Sequence, residues 1–166
     1  AKKGILSQQP DLFSKILQNA SSEDEIASVL RELMELEQPG MAGFGKRGFD
    51  ALLSTMNSFR DSSAIQELGC ALLAAVYFYY PLTTLNAPVQ LPDGSSAVFY
   101  KKQAIETLHS AMSNNRSNAS IQNLACNALQ NLLAQILDKD ESSSERQEVS
   151  RWIEPCFKDV VDSITI

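Results

Sequence analysis

The sequence predicts an all-α protein built from repeated helix hairpins. Three observations carry this. Apolar residues recur at spacings of three and four along most of the chain. Prolines and clusters of Ser, Asn and Asp break that pattern where turns between helices belong. One stretch, Gly48–Val76, recurs further along with polar as well as apolar positions matched.

The elements follow in chain order. Leu12, Phe13, Ile16 and Leu17 form an apolar stripe behind Pro10-Asp11, a helix start. Ser21-Ser22-Glu23-Asp24-Glu25 reads as a capped N-terminus with acidic residues where the helix dipole favours them. It opens a helix carrying Ile26, Val29, Leu30, Leu33 and Met34, stopped by Pro39-Gly40. Gly40–Gly48 contains four glycines and reads as a connector. Next come a helix near Phe49–Ser58, a polar turn at Arg60–Ser63, and a longer helix near Ala64–Tyr80 that Pro81 ends. Leu82–Val98 is an irregular insert with a Pro92-Asp93-Gly94 turn, across which Val89 and Leu91 face Val98 and Phe99 as a short hairpin. Helices resume near Lys102–Ser113 and Ala119–Leu137. Asp138–Glu148 is polar and acidic, and a last helix runs from about Glu148 to Ser163. The chain thus divides into an N-terminal helix pair (1–39), a repeat (48–81), the insert (82–98), a second repeat (102–137) and a C-terminal partial repeat (148–166).

A shift of about 56 residues superposes the two copies without a gap, longer than common helical-repeat periods by the length of the insert. Leu52 meets Leu108, Ser54 meets Ser110, Met56 meets Met112 and Arg60 meets Arg116. Ile65 meets Ile121, Gln66 meets Gln122, Leu68 meets Leu124, Cys70 meets Cys126 and Leu73 meets Leu129. Helical periodicity alone matches apolar class, but not Arg, Gln and Cys. Two weaker copies are expected. Ile153-Glu154 aligns with Ile105-Glu106 and Val160 with Met112, while Ile26 and Val29 take the places of Ile121 and Leu124.

Composition bounds the function. With 166 residues, 44% hydrophobic and 20% charged, the chain suits one domain or three to four helical repeats. The longest apolar run, Cys70–Tyr80, is about half of the roughly 20 residues that span a bilayer, so no transmembrane segment is predicted. Net charge is −6 and the pI about 4.8. Basic pairs occur only at Lys2-Lys3, Lys46-Arg47 and Lys101-Lys102, which gives no phosphate-neutralising face and argues against nucleic acid. An acidic surface is compatible with a basic partner. Three scattered cysteines, Cys70, Cys126 and Cys156, argue against a disulfide framework and for a reducing intracellular compartment. Cytoplasmic and organellar locations, the latter after loss of a presequence ahead of Ala1, fit equally. Asn-x-Ser triplets at Asn19, Asn115 and Asn118 arise readily by chance in a Ser/Asn-rich chain.

The second copy reads Ala-Ile-Glu-Thr-Leu-His-Ser-Ala-Met and then Ser-Ile-Gln-Asn-Leu-Ala-Cys-Asn-Ala-Leu-Gln-Asn-Leu-Leu (Ala104–Met112 and Ser120–Leu133). This resembles the second and third helices of armadillo repeats, in the variant with a Gln-x-x-(Gly/Ala)-Cys-x-Ala-Leu-x-Asn-Leu signature; the first copy supplies Ile65-Gln66-Glu67-Leu68-Gly69-Cys70. The resemblance covers Gly48–Val76 and Ala104–Leu133 and implies an armadillo-like short α-solenoid of about seven helices with an irregular insert. The short first helix of such a repeat has no counterpart before Phe49, so an irregular helical bundle around one duplicated hairpin is the alternative. Small residues at Gly69, Ala71, Ala125 and Ala128 suit close helix approach, and Cys70 and Cys126 fit the same seam. Ile65, Leu68, Leu73, Ile121, Leu124 and Leu129 are expected in the core.

The resemblance also implies a binding face. In armadillo repeats the Asn of the Leu-x-Asn-Leu element bonds the backbone of an extended peptide; Asn131 matches it, with Ala75 in its place in the first copy. Asn127 and Gln135 lie one turn to either side on the same face. Tyr77–Tyr80 places four aromatics in succession, too many for one buried stripe, so Tyr79 and Tyr80, with Val89 and Leu91 of the insert, are candidate docking residues. The single histidine, His109, stands where the first copy has Leu53 and has no identifiable nucleophile or acid partner. Cysteine spacing lacks the close pairs of zinc ligands, and Gly43-Phe44-Gly45-Lys46 does not follow a strand as a phosphate loop does. The sequence therefore predicts a non-enzymatic scaffold or adaptor without metal or cofactor, holding a partner peptide or subunit on its helical surface. The alternative is a structural subunit of a larger assembly, docked through the insert and aromatic cluster.

Overall fold

A computed structural model describes residues 17–35, 45–79, 96–137 and 143–164. They form six helices: α1 (Glu23–Met34), α2 (Gly45–Ser58), α3 (Ser63–Tyr79), α4 (Ser96–Asn114), α5 (Ala119–Leu137) and α6 (Ser143–Ile164). Residues 17–19 are helical as well, and no strand occurs among the described residues.

The N-terminal cap of α1 forms as the sequence predicts. Ser22 Oγ accepts from Glu25 N at 3.2 Å, and Glu25 Oε2 accepts from Ser21 N at 2.9 Å and Ser21 Oγ at 3.2 Å. These bonds satisfy donors that a helix start leaves without intrahelical partners. The backbone and hydroxyl donors of Ser21 hold the Glu25 carboxyl below its usual range. Ile26, Ala27, Leu30 and Leu33 then fall on one buried face.

The duplication seen in the sequence is a duplication of bonds. In the α2–α3 turn, Ser62 N donates to Phe59 O at 3.1 Å, and Ser62 Oγ accepts from Ile65 N at 3.3 Å. In the α4–α5 turn, Asn118 N donates to Asn115 O at 3.0 Å, and Asn118 Oδ1 accepts from Ile121 N at 3.1 Å. Ser and Asn are both good N-caps, so the exchange keeps the function of the position. Capping also sets the register of α1. Ser22 stands with Ser62 and Asn118, which puts Ile26 opposite Gln66 and Gln122, one position from the apolar alignment expected.

Contacts arrange the helices in two rows. α1, α3 and α5 lie side by side in one, with the most extensive contact of the molecule between α3 and α5. α2, α4 and α6 form the other. Within hairpins, α2 packs on α3 and α4 on α5. One contiguous core fills the space between the rows. It holds Phe49, Leu52 and Met56 of α2, Ile65 and Leu73 of α3, Ile105, Leu108 and Met112 of α4, and Ile121 and Leu129 of α5. Each such aliphatic or aromatic side chain contributes about 1.5–3 kcal/mol by leaving water. Phe49 meets Tyr77 edge to face at 6.1 Å between centroids. Val149, Ile153 and Cys156 bury one face of α6, and Ile153 is buried as Ile105 is in α4. The side chain of Val160 lies outside the described residues.

Three expectations are corrected. α2 begins at Gly45, inside the stretch read as a connector, because burial of Gly48 and Phe49 outweighs the poor helix propensity of glycine. α4 begins at Ser96, so Val98 and Phe99 are helical and no hairpin strand contains them. Their spacing to Ile105 and Leu108 continues a helical period, which overrides β-propensity. α6 begins at Ser143 rather than near Glu148 and continues through Pro155. Proline lacks the N–H that would bond Arg151 O, and both residues are exposed, where water can replace that bond.

Two of the six expected core positions are also corrected. Ile65, Leu73, Ile121 and Leu129 are buried, but Leu68 and Leu124 are only partly so and pack on the core from its edge. The residues expected to form the first helix through Ile16, and the insert from Leu82 to Ser95, lie outside the described residues; Leu17 is buried in the common core.

Candidate interaction surface

The outer side of the α1/α3/α5 row is where the sequence places a binding face. On α5, Asn123, Asn127 and Gln130 are exposed at spacings of four and three, and Leu124 is half-buried between them. On α3 the equivalent strip is smaller and more apolar: Ala64 exposed, Leu68, Ala71 and Ala75 half-buried, Phe78 68% exposed. Ser120 Oγ donates to Glu67 Oε1 at 2.8 Å and ties the two helices together on this side. α1 contributes the exposed Ser28 and Arg31. The surface thus runs from charged on α1, through small and apolar on α3, to carboxamide-rich on α5.

Asn131 differs from the expectation. It is half-buried, and its Nδ2 donates to Ala74 O of α3 at 2.9 Å. Small residues let α3 and α5 approach closely, which brings a main-chain carbonyl within reach of the amide. A helix carbonyl already bonded along its helix keeps a second lone pair for such a donor. Asn131 is therefore a strut between adjacent repeats rather than a solvent-facing peptide ligand. Asn127 is exposed as expected. The side chains of Gln135 and Tyr79, together with Tyr80, Val89 and Leu91, lie outside the described residues.

Sequence reasoning missed Asn123 and Gln130. Their signal lies in the spacing of four and three from Asn127, which sets them one position round the helix from Asn131. From the aromatic run Tyr77–Tyr80 sequence reasoning named Tyr79 and Tyr80 but not Phe78, the most exposed large apolar residue among the described residues.

The opposite row has a shallow depression of about 480 Å³ lined by Asp50, Leu53, Ser54, Asn57 and Ser58 of α2 and Gln103 of α4. Asn57 Nδ2 donates to Thr107 Oγ1 at 3.3 Å beside it. No histidine or cysteine lines it. Burial pushes the Cys70 thiol up to about 12, with the Glu67 carboxylate adding to the effect, and burial also raises Cys126. All three cysteines are free thiols. Among the described residues no group of three His, Cys, Asp or Glu side chains converges as metal ligands would, and no helix is long and apolar enough to cross a membrane. Comparison with known proteins found no family model, no curated protein and no solved structure that matches the chain.

Proposed function

We propose that the chain is a non-catalytic protein-interaction module of armadillo-like helical-repeat architecture, which holds a protein partner on the exposed side of its α1/α3/α5 row. The observation that carries this is the strip of exposed carboxamides, Asn123, Asn127 and Gln130, beside half-buried Leu68 and Leu124. Carboxamides donate and accept at once, so they can pair with a peptide backbone whatever its sequence. Half-exposed leucines next to them add apolar contact. The two-row stack of like hairpins supports the repeat reading, since in such stacks each unit rests on its neighbours and the rows present extended surfaces. Burial keeps the Cys70 thiol protonated near neutrality, in keeping with a binding role. A reducing intracellular compartment, cytoplasmic or organellar, suits three free thiols.

A second reading, a subunit of a larger assembly docked near the end of α3, rests on Phe78, 68% exposed next to the aromatic run. Affinity capture with the wild-type chain, the Asn123→Ala/Asn127→Ala/Gln130→Ala variant and Phe78→Ser tests both. A defined protein retained by the wild type and lost by the triple variant supports the first reading. Loss only with Phe78→Ser supports the second. Retention by both variants contradicts both readings.

A further inference from the structure

We propose that the depression between α2 and α4 is a binding site for a linear aliphatic diamine. The depression holds about 480 Å³, within the range of small-ligand clefts. Asp50, Ser54 and Ser58 run up one face of α2 at intervals of four residues, over which a helix rises about 6 Å. Asn57 stands beside them, buried Leu53 lies beneath, and half-buried Gln103 of α4 closes the other side. The site is thus a row of oxygen acceptors at intervals of about 6 Å above one apolar side chain.

The lining selects donors. Among the described residues it holds one carboxylate and no cationic group. Asn57 is turned to the same end: its Nδ2 donates to the buried Thr107 Oγ1 at 3.3 Å, which leaves Oδ1, on the other side of the carboxamide, to offer a ligand. Asp50 is half-buried, which strengthens its attraction for a cation. A carboxylate has about four lone-pair sites, so Asp50 takes a ligand donor beside the interactions it makes within the chain. A primary ammonium brings three donors and no acceptor, the complement of this lining. Bonds of about 1.5 Å meeting near 111° advance about 1.25 Å each along an extended chain, so nitrogens four methylenes apart stand about 6 Å apart. One ammonium then bridges Asp50 and Ser54, and the other bridges Ser54 and Ser58 beside Asn57, with the methylenes over Leu53. A doubly positive ligand also suits a chain of net charge −6. The partner surface proposed above lies on the α1/α3/α5 row, so this inference is independent of it.

Titration of the isotope-labelled whole chain with putrescine, followed by nuclear magnetic resonance, tests the proposal. Saturable shifts are expected at the side-chain amides of Asn57 and Gln103 and along the backbone from Asp50 to Ser58. Butylamine has the same chain with one ammonium, and magnesium has the same charge without the chain. Each should bind there at least about tenfold more weakly than putrescine. Asp50→Asn should weaken putrescine binding by at least about tenfold. Ser54→Leu keeps the charge and blocks the middle of the row; it should have the same effect, and it decides the matter if Asp50→Asn lowers the helical circular dichroism. Absence of saturable shifts with putrescine overturns the proposal. So do equal responses to putrescine and magnesium, which mean counterion screening alone, and so does binding that survives either substitution in a folded variant.

Discussion

Gln66 and Gln122 make the same pair of hydrogen bonds in two different hairpins. Gln66 Nε2 donates to Met56 O at 2.8 Å and to Phe59 O at 2.9 Å. Gln122 Nε2 donates to Met112 O at 2.9 Å and to Asn115 O at 3.0 Å. Each glutamine reaches back from the first turn of a long helix and satisfies carbonyls at the end of the helix before it, which otherwise lack intrahelical partners. The identity of the two residues in sequence is thus explained by one shared task, closing the hairpin.

Gln66→Ala should cost about 1–3 kcal/mol, because at a site only 2% exposed it removes the Nε2 donor from Met56 O, while Phe59 O keeps the bond from Ser62 N. Gln122→Ala should cost less, since Gln122 is half-buried and water can replace its bonds. Urea unfolding of the two variants checks the order. Equal losses would mean that burial does not set the cost.

Asn131→Ala should destabilise by about 1 kcal/mol through loss of the bond to Ala74 O, whereas Asn127→Ala, at an exposed position, should stay within roughly 0.5 kcal/mol of the wild type. Thermal melts of the two single variants separate strut from surface.

Gly69 lies where α3 crosses Met56 of α2. A Cβ there would stand 2.5 Å from Met56 Sδ and 2.6 Å from its Cγ. Gly69→Ala gains roughly 1 kcal/mol of helix propensity. Overpacking costs about 1–3 kcal/mol, and with a clash this close we expect net destabilisation. The double variant Gly69→Ala/Met56→Ala should show coupling that offsets part of the sum of the two single losses; strict additivity would argue that the two residues do not touch.

The thiols give a pH dependence. Cys70 in the folded chain stands at about 12 against 9.0 for an unperturbed thiol. A raised pKa stabilises fully below the unfolded value; above pH 9 the unfolded chain releases a proton that the folded chain retains, so this contribution falls as pH rises from about 9 toward about 12. Cys70→Ala should flatten that part of the stability–pH curve. At pH 8, a thiol reagent should modify half-buried Cys126 before Cys70.

Much of this fold is legible in the sequence because helical period, caps and turns are local signals. Ser22, Ser62 and Asn118 announce their helices, and the shift joining Gln66 to Gln122 reveals the duplication before its purpose. What escapes is set by distant neighbours. Asn131 looks like a solvent-facing ligand until α3 brings the Ala74 carbonyl beside it. Leu68 and Leu124 match in sequence and read as core, yet the shared leucine fixes only the position on the helix, not how far the adjoining helix covers it. The start of α2 at Gly45 depends on burial at Gly48 and Phe49, which local propensity does not register.

The central claim is that the exposed side of the α1/α3/α5 row holds a protein partner. Hydroxyl-radical footprinting of the chain with and without a partner recovered by affinity capture tests it most directly, because Leu68, Leu124 and Phe78 are oxidisable side chains on that side. The account predicts that binding protects Leu68 and Leu124 and leaves Phe157 and Val161 of α6 unchanged. Unchanged oxidation of Leu68 and Leu124, with protection appearing at α6 or around Leu53 of the opposite row, would contradict it.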